Sequence, residues 1–285
     1  MTLACPICKS PSRRLFERHE IWIDECDVCR HRFADLAPTQ EQLAETYGNE
    51  YFEGGGAGYD NYLDEKELLI AAGRRYAGIA ARFATPGTVL DVGSAAGFIL
   101  RGLRDGGWTG SGIEINDRMA DYGREQFNLD IFTGDLTSYP DEGQFDLVTM
   151  IQVIAHIPDP AAAIRKVNSL TKSGGLLLIE TWRRDSITAR IFGKNWHEYS
   201  PPSVMHWFTK KGLQEMVEAA GYQTIASGRP AKWINAAHAK SLVRYKLAQM
   251  PAGTLLAQGL KLIPDKLNLP YPAEDLAWML FRKTD

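Results

Sequence analysis

The stretch Val89-Leu90-Asp91-Val92-Gly93-Ser94-Ala95-Ala96-Gly97 leaves few folds open to this chain. Residues 88–92 are an apolar, β-branched run suited to a buried strand. The small residues that follow let backbone approach a ligand closely, and Phe98-Ile99-Leu100 starts a helical pattern. Strand, small-residue loop and helix in that order make the ligand-binding corner of a doubly wound α/β sheet. Asp91 stands ahead of the glycines, where the dinucleotide fingerprint places a glycine facing a pyrophosphate. A carboxylate there suits a cationic or hydroxylated ligand better than a phosphate.

The residues around this corner extend the same pattern. A helix is expected over 64–83, with Leu68, Leu69, Ala72, Tyr76, Ile79 and Phe83 on one face. The second strand, 110–115, ends in Ile113-Glu114-Ile115, where an acid can accept two hydrogen bonds from a ribose diol. Asp117 is expected to cap a helix reaching Phe127. Residues 130–136 read as a third strand with Asp135 just past its end, placed to accept from an exocyclic amine. The fourth strand is 145–151; Asp159 then caps a helix through Leu170, and Thr171-Lys172-Ser173-Gly174-Gly175 turns into a fifth strand, 176–181. Further on, Thr209 caps a helix with Leu213, Met216, Val217 and Ala220 as its apolar stripe and Gly221 as its stop. Residues 222–233 give a sixth strand, and 275–282 the last, antiparallel one. Between them, 235–270 reads as a helical insertion with a basic flank (Lys240, Arg244, Lys246, Lys261, Lys266), which suits a cap on the site or peripheral contact with a membrane surface.

The N-terminus follows a different logic. Cys5-Pro6-Ile7-Cys8 and Cys26-Asp27-Val28-Cys29 are two CxxC pairs, the chain's only cysteines. Two such knuckles supply the four thiolates that tetrahedral zinc favours, and iron accepts the same set. Four protein ligands leave no open position, so the metal is expected to be structural, at Cys5, Cys8, Cys26 and Cys29. His19 and His31 are expected at the surface. No apolar run reaches the roughly 20 residues that span a bilayer, and Met1-Thr2-Leu3-Ala4 does not open a signal peptide, so a cytoplasmic, reducing setting is expected. A net charge of −3 gives no global sign of a nucleic-acid binder. The expected organisation is a zinc-ribbon module over 1–36, a linker or flap over 37–63, and the α/β domain over 64–285. The middle segment holds Pro38, Gly48 and Gly54-Gly55-Gly56 among Tyr47, Tyr51, Phe52, Tyr59 and Tyr62. Both a mobile flap over a ligand and a packed linker fit that composition.

The ordered set VLDVGSAAG, GIE, GDL, FDLVTMIQVIAHIPDP and SGGLLLIE resembles the class I S-adenosylmethionine-dependent methyltransferases. The resemblance implies a Rossmann-like seven-stranded sheet with helices on both faces and S-adenosylmethionine as cofactor. It places Asp91 and Gly93 at the methionine end, Glu114 on the ribose, Ile115 on an adenine face and Asp135 on the adenine amine. Ala95, Gly97, Leu136 and Gln152 complete the implied cofactor set, with Gln152 beside the methionine moiety. Ala95 departs from the glycine usual at its place.

Transfer to a hydroxyl needs a base, and histidine is the default near neutral pH. His156, His197 and His206 are the candidates. Tyr59, Tyr62, Trp182, Glu198 and Tyr199 are the candidate acceptor contacts. The paired cysteine module, tyrosine-rich linker and core are similar to methyltransferases that decorate sugars, so O-methylation of a sugar or related metabolite is the leading expectation. The alternatives are a ribosomal RNA base methyltransferase, which Arg13-Arg14 and Arg30-His31-Arg32 would serve, a sugar C-methyltransferase, and a non-catalytic cofactor-binding scaffold. Oligomeric state is not legible in the sequence.

Overall fold

The computed structural model describes residues 3–53, 61–140, 143–235, 268–271 and 273–284. Tyr59 and most of the expected 235–270 insertion lie outside these described residues. From the N-terminus the chain forms strands β1 (Ser12–Arg18), β2 (Ile21–Cys26) and β3 (Arg32–Ala34), then helices α1 (Gln40–Thr46), α2 (Asn49–Glu53) and α3 (Lys66–Ala80). Strand β4 (Thr88–Val92) leads into α4 (Phe98–Asp105), β5 (Thr109–Glu114) into α5 (Asp117–Phe127), and β6 (Asp130–Thr133) is followed by β7 (Phe145–Ile151) and α6 (Pro160–Leu170). The remainder is β8 (Thr171–Trp182), α7 (Ile187–Phe192), β9 (His206–Trp207), α8 (Lys210–Glu218), β10 (Tyr222–Gly228), β11 (Lys232–Asn235), β12 (Asn268–Tyr271) and β13 (Leu276–Lys283).

The main sheet has seven strands in the order β10-β13-β8-β7-β4-β5-β6. Strands β4 to β8 pair in parallel, and β13 runs antiparallel between β8 and β10. Parallel strands must be covered on both faces, and their side chains alternate accordingly. Leu90, Val148, Met150, Leu177 and Ile179 pack with Ile164 and Val167 of α6 and Leu213 of α8. Val89, Leu147, Leu176 and Leu178 pack with Tyr76 and Ala77 of α3 and Leu100 and Leu103 of α4. Helices α3 and α4 nearly touch, because a Cβ on Gly102 would lie 2.2 Å from the Ile70 carbonyl oxygen. The Rossmann-like expectation therefore holds.

Some details differ from the sequence reading. Asn116, not Asp117, caps α5, its side chain accepting from the Met119 N–H at 2.9 Å. Strand β8 begins at Thr171, which pairs with Phe145, so the expected turn is absorbed into the strand. Strand β10 ends at Gly228, and residues 232–235 pair with β12 in a separate two-stranded ribbon.

The N-terminal strands form a second sheet in the order β1-β2-β3-β9. Its last strand comes from beyond β8, with Arg32 paired to Trp207 and Phe33 to His206. Glu25 is buried in this sheet and is engaged by Arg13, Arg30 and Arg32. Trp196 and Trp207 are wholly buried, and their indole N–H groups donate to Asp275 (3.0 Å) and to the Glu198 carbonyl (2.6 Å).

Candidate active site and cysteine cluster

Sheet order reverses at β4, which has β5 and β6 on one side and β7 and β8 on the other. Ligands of open α/β sheets bind at the carboxyl ends of strands at such a switch point. The loop after β4 is tied to the end of β5. Gly93 and Ser94 N–H groups both donate to the Ile113 carbonyl (2.8 and 2.9 Å), and the Ala95 N–H donates to Glu114 Oε2 at 2.7 Å. Glu114 Oε1 accepts from the Asn116 N–H at 2.9 Å. Gly93, Ala95 and Gly97 all adopt left-handed backbone, at φ +70°, +46° and +74°. At Gly93 a Cβ would also meet Val153 Cγ2 at 2.4 Å, so both conformation and space disfavour a side chain. Ala95 holds the same region without glycine's freedom, at a cost of about 1–2 kcal/mol.

Two buried carboxylates face this loop. Asp91 Oδ1 accepts from Thr149 Oγ1 at 2.5 Å, whereas Oδ2 is buried with no hydrogen-bond partner among the described residues. Burial pushes the Asp91 carboxyl up to about 7; the Thr149 hydrogen bond works against this, and the Glu114 charge adds to it. Glu114 is also raised by burial, with the N–H groups of Asn116, Ala95 and Ile115 opposing. Two acids in one dry corner, one with an unspent oxygen, make a place that a cation would stabilise. These residues fit the expected S-adenosylmethionine: an orphaned acid for an ammonium, a small-residue cradle for close approach, and a fixed acid at the end of β5. Gln152 adds to the wall, with left-handed backbone (φ +59°), its N–H on the Glu180 carbonyl and its Nε2 on Glu180 Oε1 at 3.1 Å.

The remaining implied cofactor positions are more occupied. Asp135 accepts from Thr137 Oγ1 (2.8 Å), the Ser138 N–H (2.7 Å) and Gln40 Nε2 (2.7 Å). Partial burial opposes its charge, but these donors outweigh it and hold the carboxyl below its ordinary range. Ile115 is half-buried, and Leu136 is buried in the core.

Residues absent from the sequence-based site cover this crevice. Thr39 and Gln42 form a reciprocal capping box that starts α1 and presents Gln40 to Asp135. Tyr47 donates its hydroxyl to the Ser203 carbonyl at 2.7 Å, and Asn116 Nδ2 donates to the Tyr47 carbonyl at 3.1 Å. Tyr51 is pushed up to about 12 by burial, then by the charges of Glu198 and Glu114, so it lies within reach of both acids. The described part of 37–63 is thus packed over the carboxyl edge of the sheet. The capping box was its legible signal.

The three histidines differ in what their rings have left to offer. His156 Nδ1 lies 2.6 Å from the Ser203 carbonyl, so Nδ1 carries the proton and Nε2 the lone pair; burial holds the ring below its ordinary range, that is, neutral. His197 Nε2 pairs with Glu198 Oε1 at 2.9 Å, and its ring stands edge-on to Trp182 with centroids 5.9 Å apart. His206 is a correction. Its Nε2 faces the Pro158 carbonyl at 3.3 Å and its Nδ1 faces His31 Nε2 at 3.1 Å, so both nitrogens serve the junction between the two sheets. His31 is correspondingly buried, not at the surface. Tyr199 and Tyr62 are corrections too. The Tyr199 hydroxyl accepts from Arg32 at 2.7 Å in a buried position, and Tyr62 stacks on Phe98 with centroids 5.3 Å apart.

The four cysteine sulfurs all lie within 4.8 Å of one another, with Cys5–Cys29, Cys8–Cys26 and Cys8–Cys29 at 3.6, 3.4 and 3.5 Å. A tetrahedral zinc with Zn–S of about 2.3 Å sets its sulfurs about 3.8 Å apart. The N–H groups of Val28 and Cys29 point at Cys26 Sγ at 3.4 Å, stabilising negative sulfur. The cluster is a set that could hold a metal ion.

Comparison with known proteins agrees with this fold. Residues 63–227, more than half of the chain, match the family model described as a methyltransferase domain. Similar proteins include ubiquinone biosynthesis O-methyltransferases of Xanthomonas campestris pv. campestris, 28% identical over 48% of this chain and 66% of that one, and of Pseudomonas paraeruginosa, 29% identical over 44% and 50%. The chain thus spans two thirds or less of the length of these relatives. Among solved structures, a SAM-dependent methyltransferase from Archaeoglobus fulgidus superimposes with a TM-score of 0.52 at 18% identity, over 78% of this chain and 99% of that one. Family match, strand order and switch-point loop agree, and the chain belongs to the methyltransferase-domain family.

Proposed function

We propose that this protein transfers a methyl group from S-adenosylmethionine to a hydroxyl of a small molecule, of the sugar or related metabolite class, and that a structural zinc ties its N-terminal ribbon together. The observation that carries the reading is Asp91, a buried acid with one oxygen unspent, set across from a fixed Glu114 at the sheet's switch point. Its oxygen is assigned to the cofactor's ammonium and Glu114 to the ribose, with Gln152 beside the methionine end and Asp135 toward the adenine.

When bound, the cofactor supplies an electrophilic methyl on a positively charged sulfur. The protein's own task is to hold the acceptor oxygen in line and to remove its proton. His156 suits the second task, because the Ser203 carbonyl fixes the tautomer that leaves Nε2 basic. His197, oriented by Glu198, is the second candidate. The similarity to O-methyltransferases supports a hydroxyl acceptor over carbon. Carboxylates already pair with the ribbon's Arg13, Arg14, Arg30 and Arg32, which weakens the RNA reading.

Calorimetry with S-adenosylmethionine and with NADH tests the cofactor, and failure of the former to bind removes the enzyme reading. Mass spectrometry of metabolite and RNA pools incubated with methyl-labelled cofactor tests the acceptor. Label confined to RNA overturns the small-molecule assignment.

A further inference from the structure

Most arginines described in this molecule are spent on carboxylates or backbone carbonyls; three that line one cleft are not. The cleft has a volume of about 400 Å³ and lies between α3 with the turn after it, which supply Arg75, Tyr76 and Arg82, and the β10–β13 pair, where Arg229 follows the end of β10 and Trp278 stands on β13. Among the described residues none of these guanidiniums has a carboxylate within 4 Å or donates a hydrogen bond. Arg74, the neighbour of Arg75 in sequence, is by contrast bound to Asp105 at 2.7 Å. Arg229 lies in electrostatic reach of Glu274, whose oxygens already accept from the Ile187 and Thr188 N–H groups. Guanidinium groups present a planar fork of donors that matches phosphate and carboxylate oxygens.

The cleft is also tied to the candidate active site. Tyr76, one of its walls, donates its hydroxyl to Glu180 Oε2, and Glu180 Oε1 holds Gln152 Nε2 at 3.1 Å. One buried carboxylate therefore separates this wall from the residue placed beside the methionine end. Tyr76 and Trp278 add ring surface, and the volume exceeds what a lone inorganic anion fills.

We propose that this cleft is a subsite for an oxyanion, phosphate or carboxylate, borne by a ring-containing acceptor, with Arg75, Arg82 and Arg229 as its donors. This rests on the small-molecule acceptor reading and narrows it to anionic acceptors.

The test is calorimetry on the full chain with phenyl phosphate, benzoate and the neutral control benzyl alcohol, beside an independent titration with S-adenosylmethionine. The expected result is binding of phenyl phosphate, benzoate or both but not of benzyl alcohol, weakened by salt. The double variant Arg75→Ala/Arg229→Ala, at two exposed positions, should bind the anion roughly tenfold more weakly, with cofactor affinity unchanged. Which anion binds identifies the source of the charge. Absence of anion binding up to about 10 mM, or equal binding by the variant, overturns the subsite and leaves the cofactor titration intact. Loss of cofactor binding alone would instead strike the methyltransferase reading. Trp278→Phe supplies a second measurement, since its fluorescence should account for any anion-induced quenching.

Discussion

Replacing Asp91 by Asn separates the stability of this corner from its function. In the ligand-free protein the Asp91 carboxyl sits at about 7 because it is buried, against about 3.9 in an unfolded chain. A carboxyl raised on folding favours the native state fully below the unfolded value, and that contribution is lost as pH rises through the native value. Between pH 5 and 8 the wild type should therefore lose about 2.5 kcal/mol of stability through this group, most of it below pH 7. Asn keeps an oxygen for Thr149 and carries no charge, so Asp91→Asn should be the more stable protein at pH 8, with its advantage over the wild type growing as pH rises from 5 to 8. The carboxyls held low, Asp105 and Asp146, titrate below this window and do not confuse it. Cofactor affinity should move the other way. Loss of one charge-assisted interaction of about 1.5–3 kcal/mol weakens S-adenosylmethionine binding roughly 10- to 150-fold. Thermal melts across pH and calorimetry at pH 8 read the two effects. A variant that is less stable than wild type at pH 8, or that binds the cofactor equally well, would refute the assignment of the orphaned oxygen.

Three further perturbations probe other parts of the molecule. Gly93→Ala forces a Cβ into Val153 at a left-handed position and should cost about 1–3 kcal/mol in chemical denaturation, with weaker cofactor binding; Val153→Ala in the same chain should recover only the steric part. Cys26→Ser should lower bound zinc, measured by elemental mass spectrometry, from about one per chain toward none and should lower the melting temperature; metal-free wild type of unaltered stability would contradict a structural role. Tyr47→Phe removes the hydroxyl that holds Ser203 and should cost about 0.5–1.5 kcal/mol, with faster hydrogen exchange in α1 and α2; unaltered exchange would mean that this contact does not hold the cover down.

What the sequence showed and what it concealed divide along a physical line. Strands β4 and β7 and helix α6 were legible to the residue, because parallel core strands are continuous apolar runs and the helix carries period and cap together. Asp91 and Glu114 were legible for the same reason, since each stands at the end of such a strand. The cap of α5 was misjudged by one residue because Asn116 and Asp117 are both good caps and only backbone geometry selects between them. Tyr62, Tyr199 and His206 read as site residues because aromatic and imidazole groups near a cleft have the same composition as those packed between layers. Their partners, Phe98, Arg32 and His31, are distant in sequence, and no local pattern announces them. The cover formed by α1 was concealed likewise, because α1 buries no residue and its hold on the core lies in single side-chain bonds such as Gln40 to Asp135, whereas α2 is held by Phe52 packed with Tyr62 and Phe98.

The pairing of β3 with β9 bears on how this chain is made. The cysteine knuckles leave the ribosome well before the strand that completes their sheet; the contact between His31 and His206 spans 175 residues. Closing a loop of that size carries an entropy that local contacts alone do not repay. A nascent chain released before β9 would hold an unfinished three-stranded sheet with a bare edge and, lacking Trp207 and Phe208, no lid on its apolar side. Once β9 docks, the N-terminal sheet holds a strand borrowed from the later part of the chain, and cutting between the two would leave that sheet one strand short.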